Sequence, residues 1–384
     1  MPAVLKKKVV KAAPAAPVTG FEAIMLAKVL AAAVKTVCLV TPRFTRIPIL
    51  KHIRIAARSG EVKITGSDLD MEITATIPAE TPVLGTVLVE GALLRNFVAK
   101  IDGTVLISAT DQLHARVSAG ASAVVFPSLP EEDFPRIDDF KSTVNFEIGS
   151  SVLHDIIKKT QFCISEEETR YYLNGICLHC DGKTLIAEAT DGHRLAEYAL
   201  KIPLPAFDKI IVPHGAVAVV DKATAKIGTV CVAISESRIR FTAPDLDITS
   251  KLIDGTFPET SRVIPRQNPL IVTVDRDTLK AAIKVVAASS RALVKVHLGL
   301  DISASEVKLT YTNDEGISSH QVIDATYSGD HPMKIGFNAR YLHDIAAHVD
   351  GKTVEMRIRS PQEPMTVYDA KNPGLTYVLM PVRI

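Results

Sequence analysis

Apolar residues return at the i, i+3, i+4 spacing of an amphipathic helix in six places along the chain. The six stretches are Leu26–Val37, Gly91–Ile101, Ser151–Cys163, Gly215–Ala225, Asp275–Ser289 and Asn338–Val349. In the third, Val152, Leu153, Ile156, Ile157 and Phe162 make one stripe. Asp275 and Asp277 suit the cap and first turn of the fifth, where the helix dipole favours negative charge. Successive stretches are spaced by roughly 60 residues, a period that points to internal duplication.

Short alternating runs separate the helices. Glu61–Gly66, Lys183–Ala187 and Glu306–Thr310 hold matching places in successive thirds, each leading through a polar turn (Ser67-Asp68, Asp191-Gly192, Asn313-Asp314) towards another strand. Ile101-Asp102-Gly103-Thr104-Val105 and Val349-Asp350-Gly351-Lys352-Thr353-Val354 both read as helix, turn, strand. The pattern predicts an α+β protein of three similar domains, each made of two helix-plus-strands units. Linkers are expected at the proline-rich, acidic 127–140 and at the two-proline stretch Ile264–Pro269. The boundaries are then 21–140, 141–267 and 268–384, with 1–20 as a flexible basic tail carrying Lys6, Lys7, Lys8 and Lys11 beside Pro14 and Pro17.

Composition narrows the class. No run of 18 apolar residues occurs, so no membrane span is expected. Five scattered cysteines fit a reducing cytoplasm better than a disulfide framework. The net charge of +1 is uninformative; only its distribution could bear on nucleic acid, and lysines on solvated helix faces are an equally good reading of the pattern alone. Lys28, Arg95, Lys158, Lys222, Lys280 and Arg340 all fall on helical stretches, where acids are fewer.

Candidate chemistry centres on Ala189-Thr190-Asp191-Gly192-His193-Arg194-Leu195-Ala196, in which Asp-Gly signals a hairpin. Asp191 with His193 could be an acid/base pair, but no nucleophile elbow accompanies it, and a binding or packing role is the simpler reading. Gly182-Lys183-Thr184 and Gly351-Lys352-Thr353 lack the upstream glycine of a phosphate-binding loop, with Cys177 and Ala346 in its place, and read as turns. Cys177 and Cys180 have no second ligand pair for zinc. No catalytic group, metal site or cofactor is expected.

The Asp-Gly-His-Arg-Leu segment, with Arg170-Tyr171-Tyr172-Leu173-Asn174-Gly175, Phe257-Pro258 and the terminal Met380-Pro381-Val382-Arg383-Ile384, resembles the bacterial sliding clamp, the beta subunit of DNA polymerase III, from about Phe21 to Ile384. The resemblance implies a DNA-clamp fold, with helices inside and sheets outside a ring closed by a head-to-tail homodimer around double-stranded DNA. It implies a non-enzymatic processivity factor, placed on DNA by a clamp loader with its own ATPase. The replicative polymerase alpha subunit, other polymerases and repair proteins would dock through short hydrophobic motifs. By matched position their pocket would comprise Leu173, Thr190, Gly192, His193, Arg194, Leu195, Pro258, Arg262, Val263, Val378, Met380, Pro381, Val382 and Arg383, with His193, Arg194 and Arg262 as polar rims. Arg170, Tyr171 and Tyr172 would reach the duplex, and the helix cations Lys28, Arg95, Lys158, Lys222, Lys280 and Arg340 would bind its phosphates from the inner face of the ring.

Some positions depart from the family pattern. Phe44 stands where the family commonly has a first-domain arginine, flanked by Arg43 and Arg46, either of which could substitute. Glu166-Glu167-Glu168 puts acid beside Arg170. Ala287-Ala288 sit where larger apolar residues often seal the dimer against a first-domain side that here offers Val124 and Phe126. The unusual tail, the Ala287-Ala288 pair and the near-neutral charge leave open a clamp paralogue specialised for repair, plasmid replication or inhibitor tolerance.

Overall fold

The computed structural model describes residues 20–109, 111, 113–137, 141–225, 227–290, 296–313 and 315–384. The basic tail up to residue 19, Asp314 of the third polar turn and the linker end at 138–140 lie outside the described residues. Among the described residues six α-helices form, each within a turn of its expected bounds. They are α1 (Ala27–Val37), α2 (Gly91–Val98), α3 (Ser150–Thr160), α4 (His214–Thr224), α5 (Arg276–Ala287) and α6 (Ala339–His348). They pack in consecutive pairs, α1 with α2, α3 with α4 and α5 with α6.

How the helices begin exposes the repeat. Each follows a strand directly, and only α5 and α6 have side-chain caps. Asp275 accepts from the Thr278 amide at 2.8 Å, and Asn338 accepts from Arg340 and Tyr341. In five of the six a backbone carbonyl takes the amide of the first helical residue. Ala27, Ser150 and Arg276, which open the odd helices, donate to Gly103, Gly228 and Lys352, each in the turn just before the strand that follows the even helix. His214 and Ala339, which open two even helices, donate to Asn174 and Val296. The duplicated pattern is therefore held together by equivalent backbone bonds, which need no particular side chain.

The chain divides into two compact units. The first runs to Ile137 and takes in Asp245–Asp247. It holds a five-stranded sheet ordered Glu80–Val83, Phe21–Leu26, Thr104–Ala109, His114–Ala119, Ser122–Pro127. It also holds the antiparallel run Met71–Pro78, Glu61–Ser67, His52–Arg58, Gly85–Glu90. Leu30, Val34, Val37, Leu94 and Val98 are the buried stripes of α1 and α2. The first linker is anchored: Glu131 accepts from Arg54 (2.5 Å) and Arg136 (3.0 Å), and Phe134 is buried.

The second unit is dominated by one twelve-stranded sheet. Strand Arg194–Leu200 pairs antiparallel with Asn372–Leu379, Arg194 opposite Leu379 and Tyr198 opposite Leu375. This pairing fuses the sheet of the central third with that of the last third. The second expected linker is not loose either. Asn268 is buried, and its amide donates to the carbonyls of Arg357 (2.9 Å) and Pro364 (3.0 Å). The prolines stop regular structure there, and a side-chain amide supplies the bonds they cannot.

Behind the joint Lys159 has no exposed side-chain surface and donates to the His348 carbonyl at 2.8 Å, with Asp350 at 2.6 Å. Phe162 stacks on His348 (centroids 4.0 Å apart) and the Tyr377 hydroxyl donates to the same carbonyl. Asp369 accepts from the amides of Asp350, Gly351 and Lys371 and from the Asn372 side chain. Burial works to raise the carboxyls of Asp350 and Asp369, but hydrogen bonds, with the Lys159 charge at Asp350, outweigh it and leave both below the usual aspartate range.

Two outcomes follow from this joint. Lys159→Ala should lower stability by about 3 kcal/mol in urea denaturation, and Lys159→Met by clearly less, since its stem still fills the site. Equal losses would mean the stem contributes no packing. Because the folded carboxyls are depressed, their stabilisation is present above the unfolded aspartate value of about 4 and is lost as pH falls through the folded values. Asp369→Asn should flatten the acid limb of stability against pH, and an unchanged limb would refute the carboxylate cradle.

Candidate functional site

The hairpin expected at Asp191-Gly192 is present between strands Leu185–Thr190 and Arg194–Leu200. Asp191 Oδ1 accepts from the amides of His193 (2.9 Å) and Arg194 (3.0 Å), and Oδ2 from Arg194 Nε (3.1 Å). The carboxylate is consumed by its own turn and makes no hydrogen bond to the His193 ring, so the acid/base pair is not assembled. Thr190 is buried, its hydroxyl donating to the Arg194 carbonyl at 2.7 Å. Gly192 holds φ +86°, and a Cβ there would stand 2.5 Å from Arg170 Nη1. Arg170 braces the turn, donating to the Asp191 carbonyl at 3.0 Å and to Glu167 at 2.8 Å. The acid beside it is therefore its partner.

Arg194 corrects one expectation: it is 7% exposed and is not a rim residue. Its guanidinium donates to Asp344 at 2.7 Å and lies over the rings of Tyr341 (4.4 Å) and Phe162 (5.3 Å). His193 stays exposed, its ring stacked at 6.2 Å on Tyr341. Sequence reasoning missed Tyr341 and Asp344. They meet the turn across most of the second unit's length, and nothing local marks them.

The terminal residues extend the joint. Met380 donates its amide to the His193 carbonyl at 2.9 Å, and Val382 bridges Gly336. Ile384 lies where Gly336 and Gly299 have no side chains; a Cβ on Gly336 would meet it at 2.5 Å. Leu195 and Val378 are buried with Ile264, a third member the sequence did not suggest. Of the other residues matched to the pocket, Met380 and Val263 are 43% and 57% exposed, Pro258, Arg262 and Arg383 are exposed, and Pro381 and Val382 are half-buried. Leu173 is buried in a second cluster, with Cys177, Ile211 and Phe257, the residue before Pro258. The second unit thus brings together an apolar floor with exposed apolar and basic groups beside it.

Of the cations assigned to DNA, Lys28, Lys158, Lys222 and Arg340 are exposed and Arg95 and Lys280 half-buried. Lys280 pairs with Asp277 (3.5 Å) and Arg340 with Asp344 (3.8 Å). Lys28, Lys158 and Lys222 form no ion pair among the described residues. Tyr171 is 53% exposed and set edge-on to Tyr172. In the first unit Phe44 is 94% exposed between exposed Arg43 and Arg46, a ring with no packing role.

At the sheet edge Ser122–Pro127, Val124 is half-buried and Phe126 buried, while Val125, not expected there, is 53% exposed. Ala287 is a second correction: it is 4% exposed in its own core, leaving Ala288 with Val285 at the surface of that helix. Among the described residues no cluster could hold a metal ion, and no helix is long and apolar enough to cross a membrane. Both Gly-Lys-Thr stretches are turns, as expected: Asp181 caps the amides of Lys183 and Thr184, and Gly351 donates to Asp369.

Comparison with known proteins gives the same picture. Family models described as the DNA polymerase III beta subunit match in order, the N-terminal domain at 23–138, the central domain at 147–259 and the C-terminal domain at 261–383. The beta sliding clamp of Caulobacter vibrioides is 36% identical over 355 residues, covering 90% of this chain and 95% of the relative. A crystal structure of the C. crescentus beta sliding clamp, with PEG bound to a putative beta-motif tethering region, superposes with TM-score 0.91 at 34% identity, covering 96% of this chain and 100% of that one. The Bartonella birtlesii clamp bound to griselimycin gives 0.90 at 32%, covering 95% and 100%.

Arg194→Ala strands two carboxylates and two rings, and should cost about 3 kcal/mol in urea denaturation. Arg194→Lys should recover little, because one ammonium cannot serve Asp191, Asp344 and the ring faces together. A lysine variant as stable as the parent would show that charge alone suffices.

Proposed function

The chain belongs to the bacterial sliding-clamp family, the beta subunit of DNA polymerase III, and from that premise we propose that it encircles duplex DNA and tethers polymerases and repair proteins to it. The observation that carries this reading is the ordered match of all three clamp domains across nearly the whole chain. We assign the domains to 21–140, 141–267 and 268–384. Two copies close head to tail, with the strand edge carrying Val124, Val125 and Phe126 on one side and the end of α5 on the other. Helix cations meet phosphates through counterion release, which carries no sequence information and lets the ring slide. The tether turns polymerase rebinding into an intramolecular event at high effective concentration. The protein performs no catalysis itself, and a clamp loader supplies the energy of opening.

The pocket is the groove floored by Leu195, Val378 and Ile264 and flanked by His193, Arg262, Val263, Met380 and the terminal residues. Its geometry suits a short hydrophobic peptide: an apolar floor gives affinity and a few polar groups give orientation.

Topology tests the function. Loaded onto nicked circular DNA by its loader, the protein should remain bound in high salt and be released when the circle is cut. Equal retention on linear DNA would sink the encircling mechanism. Each of Lys158→Ala and Lys222→Ala should reduce the salt slope of DNA binding by about 1 if the lysine holds a phosphate. Removing Met380–Ile384 should abolish peptide binding while light scattering still reports about twice 41.5 kDa; retained binding would place the pocket elsewhere.

A further inference from the structure

Glu188 sits in mid-strand with 2% of its surface exposed, directly opposite Glu197 on the next strand. Like charges facing each other across a ladder are destabilising, and a buried carboxylate must be compensated. Both glutamates find their compensation in one segment, the stretch that carries Pro258, Arg262 and Val263. Glu188 Oε1 accepts from the Thr260 hydroxyl. Glu197 accepts from Arg266 at 3.0 and 3.2 Å. Lys209 ties the segment a third time, donating to Glu259 at 2.9 Å while standing 3.9 Å from Glu188 Oε2. That second oxygen has no hydrogen bond, with His179 Nε2 at 3.5 Å its nearest cationic neighbour when protonated. Burial works to raise the Glu188 carboxyl, yet the nearby His179, the Thr260 hydrogen bond and the Lys209 charge outweigh it and keep it below the usual glutamate range.

Thr260 is itself 3% exposed and opens the short helical turn Thr260–Arg262. Its carbonyl accepts from the amides of Val263 (2.9 Å) and Ile264 (3.2 Å). Ile264 in turn packs on Leu195 and Val378, the floor of the groove. A continuous path therefore runs from a buried charge through one hydroxyl and one turn to the groove. A sheet that only needed filling at position 188 would take an apolar side chain at lower cost.

We propose that Glu188 is a positioning residue for the peptide pocket, holding the Phe257–Ile264 segment at the height that forms the groove through its bond to Thr260. The inference rests on the peptide-pocket reading above. Its consequence is that pocket affinity depends on a side chain that touches no ligand.

Griselimycin is a suitable probe, measured by calorimetry and by dissociation rate on the full chain. Thr260→Val keeps the shape and removes the donor; it should weaken binding about tenfold, mainly through faster dissociation. Glu188→Ala should do the same or more. Glu188→Gln, which still offers Thr260 an oxygen, should restore affinity to within about threefold of the parent, a rescue that filling space alone does not produce. Added to Thr260→Val, Glu188→Gln should cost nothing further. Amide exchange at Arg262, Val263 and Ile264 should quicken in Thr260→Val while strand Arg194–Leu200 is unchanged. Parent-like binding by both Thr260→Val and Glu188→Ala overturns the proposal. Should Glu188→Ala fail to fold, parent-like binding by Thr260→Val alone overturns it. Failure of the unsubstituted chain to bind both griselimycin and a short hydrophobic clamp-binding peptide instead removes the pocket reading on which it stands; if the peptide alone binds, the same variants are read with the peptide.

Discussion

The ladder between Arg194–Leu200 and Asn372–Leu379 is the constraint on which the second unit depends. It merges two sheets into one of twelve strands, and it sets where everything around the groove can lie. Arg194 begins one strand of the ladder and Leu379 ends the other, so the Asp191–Gly192 turn and the Met380 tail emerge side by side. One further backbone bond, from Met380 to His193, continues the register past the end of the ladder. The groove is thus a property of strand register. A slip of one residue would send Leu195 and Val378 to the other face and leave no floor.

That register is reinforced by charges turned inward. Lys159, Arg194 and Glu188 are each more than nine-tenths buried and each bonded across tens of residues of sequence. Such groups are weak sources of net stability, because desolvation offsets most of their attraction. They do penalise every arrangement in which a partner is missing, and that penalty selects one geometry. Around a joint fixed by strand register, selecting one geometry matters more than the last few kcal/mol of stability.

The helices and the repeat were legible in the residues because their signal is local. Periodicity located α1 to α6, and Asp275 marked the start of α5. The unreadable part is long-range. Arg194 looks like a surface arginine beside an Asp-Gly turn until Tyr341 and Asp344 arrive from a helix about 150 residues on. Ala287 shares its helix's apolar stripe, and the stripe faces its own sheet. Ile264–Pro269 reads as a linker from its prolines, yet Asn268 ties it to two distant carbonyls. Family resemblance supplied the pocket residues by position, but could not say which of them touch a ligand and which hold the others in place.

That division of labour follows from counting where each polar group is already committed. Asp191 spends both oxygens on its own turn, Thr190 spends its hydroxyl on Arg194, and Arg170 and Arg194 are bound to carboxylates or carbonyls. A ligand could recruit these groups only by breaking bonds that hold the turn. The side chains of His193, Arg262 and Arg383, with those of the exposed Val263 and Met380, carry no such obligations in the hydrogen bonds and ion pairs described, His193 contributing only a ring face to Tyr341. The most recognisable residues of the segment, Asp191, Gly192 and Arg194, therefore build the turn, and the side chains around them are the ones that the proposed pocket has available for a ligand. An arrangement so divided can vary those exposed side chains while keeping the frame, because the frame's bonds to them run through the backbone alone.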